Sequence, residues 1–126
     1  MDRWEYYNPN PAGNRVGDCA VRAICKATGF DWETVFTGLI VQACTLSDMP
    51  SANYVWGAYL YKHGYRRKLI EQPERYIYTV NDFCTDYPTG TYILCIDGHV
   101  VTVQNGKYYD TWNSGNEIPV YYWEKE

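Results

Sequence analysis

The fold is decided by the stretch Thr91-Tyr92-Ile93-Leu94-Cys95-Ile96-Asp97-Gly98-His99-Val100-Val101-Thr102-Val103-Gln104-Asn105-Gly106. Its β-branched and aromatic residues predict two strands, over 91–96 and 99–104. The dipeptides Asp97-Gly98 and Asn105-Gly106 are two-residue hairpin signals. A third strand is expected to return over 107–112. The stretch therefore predicts an antiparallel meander.

The rest of the chain predicts helices before this meander and one strand after it. Apolar spacing and capping signals place the helices from Asp18 to Gly29, from Asp31 to about Cys44, from after Ser51 to His63, and from Val80 to Tyr87. Residues 1–17 are expected to be a loop, and 65–78 show no clear periodicity. A last strand is expected over 118–123, at a sheet edge because it contains Pro119. This order predicts an α+β fold with N-terminal helices packed on a C-terminal antiparallel sheet.

Composition excludes several classes of protein. The chain has 126 residues, which predicts a single domain over 1–126. Fifteen acidic against eleven basic residues argue against a nucleic-acid partner. No apolar run reaches the roughly 18 to 20 residues of a membrane span, and no export signal opens the sequence, so a cytoplasmic location is expected. The spacing of the five cysteines matches no zinc pattern. Neither a metal nor a cofactor is implied.

The hairpin register brings a histidine and a carboxylate onto one apolar face. Pairing across Asn105-Gly106 puts Gln104 opposite Lys107, and counting outward puts His99 opposite Trp112. The residues that share this face are Tyr92, Leu94, Ile96, His99, Val101, Val103, Tyr108, Asp110 and Trp112. His99 and Asp110 are diagonal neighbours, close enough for their side chains to meet. Such a pair can orient an imidazole for catalysis, although a buried structural pair has the same residues.

Cys19 is the candidate nucleophile among the thiols. It lies at the start of the first helix, where free N–H groups and a partial positive charge lower the pKa of a thiol. On a helical wheel it falls at the border between core and solvent. Core packing is expected for the other four thiols, Cys25, Cys44, Cys84 and Cys95. Arg22 is expected to pair with Asp18 on a solvated helix face.

Cysteine, histidine and aspartate together can perform nucleophilic catalysis on a carbonyl group, and here the sequence resembles a family. The segment Gly17-Asp18-Cys19-Ala20-Val21-Arg22-Ala23-Ile24 resembles the nucleophile helix of papain-like cysteine peptidases, especially the compact bacterial ones such as the bacteriocin leader peptidases. Gly98-His99-Val100-Val101 and Tyr108-Tyr109-Asp110-Thr111-Trp112 are similar to the histidine strand and the Asp/Asn strand of that superfamily.

The resemblance implies a papain-like domain that hydrolyses a peptide or other amide bond in a peptide or protein substrate. Cys19 would be the nucleophile, His99 the general base and acid, and Asp110 the orienting carboxylate. Papain-like enzymes place a glutamine before the cysteine as an oxyanion donor. No glutamine precedes Cys19, so Asn14 is the candidate for that role. Trp112 is a candidate wall of the site.

Two other functions stay open at this point. One is a non-catalytic binding or inhibitor protein on the same fold, which uses an aromatic surface. Fourteen tyrosines and five tryptophans support it, because Tyr and Trp are favoured at interfaces, and exposed aromatic residues are compatible with a homodimer. The other is acyl transfer, since transglutaminase-like enzymes have the same chain order of Cys, His and Asp.

Overall fold

The computed structural model describes residues 3–126, which form four helices and one six-stranded mixed sheet. The strands are β1 (Trp4–Tyr6), β2 (Tyr65–Leu69), β3 (Thr91–Ile96), β4 (His99–Gln104), β5 (Lys107–Asp110) and β6 (Pro119–Lys125). The helices are α1 (Cys19–Thr28), α2 (Trp32–Leu46), α3 (Asn53–Lys62) and α4 (Val80–Asp86). The α+β class and the four predicted helices are confirmed. No helix within 3–126 has both the length and the apolar character needed to cross a bilayer.

Local signals set the helix ends. The carboxylate of Asp31 accepts a hydrogen bond from the backbone N–H of Thr34 at 2.8 Å and so caps α2. Thr79 and Asp82 form a reciprocal capping box at the start of α4. Gly29 ends α1 with a φ of 78°, a left-handed conformation that glycine adopts without strain. These three helix ends therefore follow from short-range chemistry that the sequence shows directly.

The central meander has the predicted register. β3 pairs antiparallel with β4, and β4 with β5, with Val103 opposite Tyr108 and Gln104 opposite Lys107. Asn105 and Gly106 both have positive φ, at 50° and 76°, as a type I′ hairpin turn requires. The third strand, however, ends at Asp110 instead of continuing to residue 112. The chain bends there, so the predicted pairing of His99 with Trp112 across the ladder is absent from the described register.

The expected N-terminal loop and the expected edge position of the last strand were wrong, and β2 was not predicted. Residues 4–6 are not loop but β1, which pairs parallel with β5 and makes the sheet mixed rather than antiparallel. β2 lies in the segment where no periodicity was seen and pairs with β6. The strand order β1-β5-β4-β3-β6-β2 also places β6 inside the sheet. Pro119 is tolerated because it is the first residue of β6, beside a register shift, where a missing N–H costs little.

Helices cover the sheet on both faces. One core cluster joins α1, α2 and α3 to Ile93, Cys95 and Val100. The other joins α4 to the alternate residues Leu94, Ile96, Val101 and Val103, which lie on the face that the register predicted. α1 is fixed to its face by the Thr102 hydroxyl, which donates to the Ala23 carbonyl at 2.6 Å and is fully buried. This bond helps to set the helix that begins at Cys19 against β4.

We expect Thr102→Val to lower the free energy of unfolding by about 1 kcal/mol, because it removes one buried hydrogen bond while nearly preserving side-chain shape. Urea denaturation at pH 7 measures this change. Thr91→Val is the matched control, since the partner of Thr91 is a part-buried amide of Gln104 at the far end of the same hairpin. It should stay within about 0.5 kcal/mol of wild type. A Thr102→Val protein as stable as wild type would contradict the expectation.

Candidate active site

Cys19 is the first residue of α1 and is half-buried, as the helical wheel predicted. The N–H groups of a first helical turn have no acceptor within the helix and carry a partial positive charge. The backbone N–H of Val100 hydrogen bonds the Cys19 sulfur. The thiol therefore lies among donors that stabilise negative charge on it.

His99 contacts both other members of the predicted triad. It is the first residue of β4, and its Nε2 lies 2.6 Å from Oδ2 of Asp110. Its ring also hydrogen bonds the Cys19 thiol. Since Nε2 binds Asp110, Nδ1 is the ring nitrogen left for Cys19. The structure thus brings Cys19, His99 and Asp110 together, with His99 hydrogen bonded to both of the others.

Asp110 has no exposed surface and accepts four hydrogen bonds through its carboxylate. Oδ2 accepts from His99 and from the Ser114 hydroxyl at 2.7 Å. Oδ1 accepts from Arg22 at 3.0 Å and from the backbone N–H of Thr111 at 2.8 Å. Ser114 was not predicted from the sequence, because its partner is set by the bend after β5 and not by any strand pattern.

The prediction that Arg22 and Asp18 pair on a solvated helix face is only half right. Its ion pair with Asp18 exists at 2.8 Å, but the two residues are only 4% and 7% exposed and do not lie on a solvated face. Arg22 also reaches Asp110, 88 residues away in the sequence. The indole N–H of Trp32 donates to the second oxygen of Asp18 at 2.9 Å. Helical spacing predicted the first pair but could not show that β5 and α2 would enclose it.

These contacts shift the pKa values of Cys19 and His99 in opposite directions. Burial raises the pKa of Cys19, but the hydrogen bond to His99 and its positive charge, helped by the Val100 N–H and Arg22, bring the net pKa below its usual value. Burial lowers the pKa of His99, but the hydrogen bonds to Asp110 and Cys19 outweigh this and raise it to about 9. Both shifts favour a thiolate–imidazolium pair near neutral pH.

A cleft of about 690 Å³ opens beside Cys19 and His99. This volume is within the range of small-molecule and substrate sites, about 300 to 1,000 Å³. Its walls are largely apolar and include Trp32, Phe36 and Trp56. The rings of Trp32 and Phe36 stack at 4.7 Å and form one side. The cleft therefore offers an apolar surface next to the sulfur.

The two secondary candidates lie outside this cleft lining. The ring of Trp112 packs 4.8 Å from the His99 ring, so it covers the imidazole but does not line the described cleft. Asn14 is exposed, in a loop whose backbone is held by Asn8 and Asn10. Among the described residues that line the cleft, Asn53 has the one side-chain amide. Its Oδ1 accepts from the indole of Trp56 at 3.0 Å, which leaves its NH2 group as a donor.

The remaining thiols are outside this site's hydrogen-bond network. Cys25, Cys84 and Cys95 are buried, as expected, and burial raises the pKa of each. The prediction of core packing is wrong for Cys44, which is exposed on α2. Within the part of the chain that the structure describes, no three His, Cys, Asp or Glu side chains are grouped so as to hold a metal ion.

No protein-family model matches this chain, and no curated protein or solved structure matches it either. The function of the site therefore has to be inferred from its own geometry and chemistry.

We expect Cys19 to be alkylated by iodoacetamide at neutral pH faster than the exposed Cys44, because its pKa is lowered and only the thiolate reacts. His99→Ala should shift the pH profile of Cys19 upward and leave that of Cys44 unchanged. Site-resolved mass spectrometry of the alkylated protein measures both profiles in one sample. A Cys19 profile that does not respond to His99→Ala would show that the pair does not form.

We also expect Cys19→Ala to steepen the fall of stability above pH 6.5. The pKa of His99 is raised from 6.5 to about 9, so its stabilising contribution is complete below pH 6.5 and is lost as pH rises through 9. The pKa of Cys19 is lowered from 9.0, so its contribution is complete above pH 9.0 and is lost as pH falls through the folded pKa. The two slopes oppose each other in wild type.

Without the thiol, the opposing slope of Cys19 is gone, and His99 loses one of the two hydrogen bonds that raise its pKa but keeps the one to Asp110. Its downward slope therefore remains over a narrower pH range than the wild-type pKa implies, with a limit of about 1.4 kcal/mol per pH unit. Urea denaturation at a series of pH values compares Cys19→Ala with wild type. Cys44→Ala is the control and should follow the wild-type curve. Parallel curves for Cys19→Ala and wild type would contradict the expectation.

Proposed function

We propose that the protein is a cysteine-nucleophile hydrolase of papain-like fold that cleaves a peptide or other amide bond. The observation that carries this proposal is the position of His99, which hydrogen bonds Cys19 on one side and Asp110 at 2.6 Å on the other, at the edge of a substrate-sized cleft. A buried structural pair would need no nucleophile beside it and no cleft. The resemblance of the Cys, His and Asp segments to papain-like peptidases supports the same function.

In the first half of the proposed reaction, the Cys19 thiolate attacks the carbonyl carbon of the scissile amide. The carbonyl oxygen becomes an oxyanion, which the backbone N–H groups at the start of α1 stabilise. The His99 imidazolium then donates its proton to the leaving amine. The C–N bond breaks and the acyl group stays on sulfur as a thioester.

In the second half, His99 is neutral and accepts a proton from a water molecule that attacks the thioester. The C–S bond breaks, the acid product leaves, and Cys19 and His99 return to the ion pair. Asp110 keeps Nε2 of His99 in one orientation through both steps, so Nδ1 remains the nitrogen that exchanges the proton. Asn53 takes the place of Asn14 as the side-chain candidate for an oxyanion donor, because it lines the cleft.

We expect wild-type protein to cleave a peptide library derived from a digested proteome, and Cys19→Ala to reduce cleavage by at least about 10³-fold, because removal of a nucleophile leaves only binding and electrostatic catalysis. Mass spectrometry of new peptide termini measures the cleavage. Cys44→Ala removes an exposed thiol outside the site and should cleave as wild type does. Equal cleavage by Cys19→Ala and wild type would overturn the proposal.

Two arms of the same experiment separate the alternatives. In H2(18)O, hydrolysis places the heavy isotope on the new carboxyl group. With a primary amine added, acyl transfer would give an amide product instead. A binding protein would cleave nothing. The observation that favours that alternative is a second groove of about 340 Å³, beside Tyr54 and Tyr61, which are 70% and 58% exposed.

A further inference from the structure

A buried arginine joins the helix that carries Cys19 to the strand that carries Asp110. Nη1 of Arg22 donates to Oδ1 of Asp18 at 2.8 Å, and Nη2 donates to Oδ1 of Asp110 at 3.0 Å. The arginine is 4% exposed. Asp18 directly precedes α1 and Asp110 ends β5. The guanidinium thus bridges the carboxylate of the residue before Cys19 and the carboxylate that binds His99.

Arginine suits this bridge where lysine does not. The planar guanidinium presents N–H groups in a fixed fork and can bind two carboxylates at once, whereas an ammonium is a point charge on a flexible stem. Two buried carboxylates without a counter-ion would be strongly unfavourable. The fork shares its one positive charge between Asp18 and Asp110 and also fixes the direction of each relative to the other.

The bridge is part of a longer chain of hydrogen bonds that starts at the cleft wall. The Trp32 indole, which lines the cleft, donates to Asp18. Asp18 binds Arg22, Arg22 binds Asp110, and Asp110 binds His99. Every link is 3.0 Å or shorter. The imidazole is therefore connected to the wall of the cleft, and the described hydrogen bonds of the Arg22 side chain go to Asp18 and Asp110.

Asp110 does not need Arg22 for its own orientation. It keeps the Ser114 hydroxyl and the Thr111 N–H as donors, apart from His99. Asp18 likewise keeps the Trp32 indole. What Arg22 alone supplies is the link between these two separately held groups.

We propose that Arg22 is a positioning residue, which sets the distance and orientation between the Cys19 sulfur and the His99 ring by holding Asp18 and Asp110 together. This inference rests on the proposed function, since it takes Cys19 and His99 as the reacting pair. The positive charge of Arg22 also contributes to the lowered pKa of Cys19. Its role is thus both geometric and electrostatic, and Arg22 itself transfers no proton.

The test compares the pH profile of Cys19 alkylation by iodoacetamide in folded wild type, in Arg22→Lys, and in the double variant Arg22→Met with Asp18→Asn. Arg22→Lys keeps the charge but loses the fork. The double variant removes one positive and one negative charge, so the buried cluster keeps its net charge without the bridge. Both should alkylate Cys19 about tenfold more slowly at pH 7, with the profile shifted upward by about one pH unit.

A purely structural role for Arg22 would lower the melting temperature but leave the profile of the folded protein unchanged, so thermal unfolding is measured alongside. Lys107→Met is the matched control. Lys107 lies on the same strand as Asp110, and its replacement breaks an exposed ion pair with Glu5. This change should not move the pH profile of Cys19. Wild-type profiles in Arg22→Lys and in the double variant would overturn the role of Arg22 alone. Wild-type Cys19 reacting no faster than Cys44 would overturn this role and the proposed function together.

Discussion

The buried carboxylate of Asp110 is the group on which the arrangement of the site depends. An ionised carboxyl group without exposed surface is tolerated only when donors replace its hydration shell. Here Arg22, Thr111, His99 and Ser114 supply that replacement. Burial raises the pKa of Asp110, but the hydrogen bonds to His99 and Ser114 and the charges of His99 and Arg22 hold it below its usual value. The carboxylate therefore stays charged and holds the imidazole in one orientation.

The backbone of Asp110 is also held, by β1 and by the residue that follows this strand. The Asp110 carbonyl accepts the Tyr7 N–H at 3.0 Å and the Trp4 indole N–H at 3.1 Å. A parallel strand at this edge gives β5 a second partner at the residue where the chain leaves the sheet. β1 thus contributes to the site through the backbone of Asp110, since its described hydrogen bonds to that residue reach the backbone carbonyl and not the carboxylate.

Cys19 and His99 meet because both lie at the end of an element. α1 packs on the face of the sheet that carries Val100 and Thr102, whereas strand alternation groups His99 with Val101 and Val103 on the other face. A histidine in the middle of β4 would be separated from α1 by the sheet. As the first residue of its strand, after the Asp97-Gly98 turn, His99 can reach the start of α1. Catalytic groups in many folds are placed at such element ends, where side chains escape the packed core.

By itself, the sequence determined the local elements and the candidate triad. The helix cap at Asp31, the two-residue turn at Asn105-Gly106 and the register it sets over 102–109 depend on neighbouring residues, and these predictions were confirmed. Only the tertiary structure decided which segments were enclosed and joined. β1 and β2 are short strands whose pairing partners lie far along the chain. No local signal reveals that β6, which begins at Pro119, lies inside the sheet. The same holds for Arg22: helical spacing shows its pair with Asp18, but its burial and its bond to Asp110 exist only because α1 and β5 pack together.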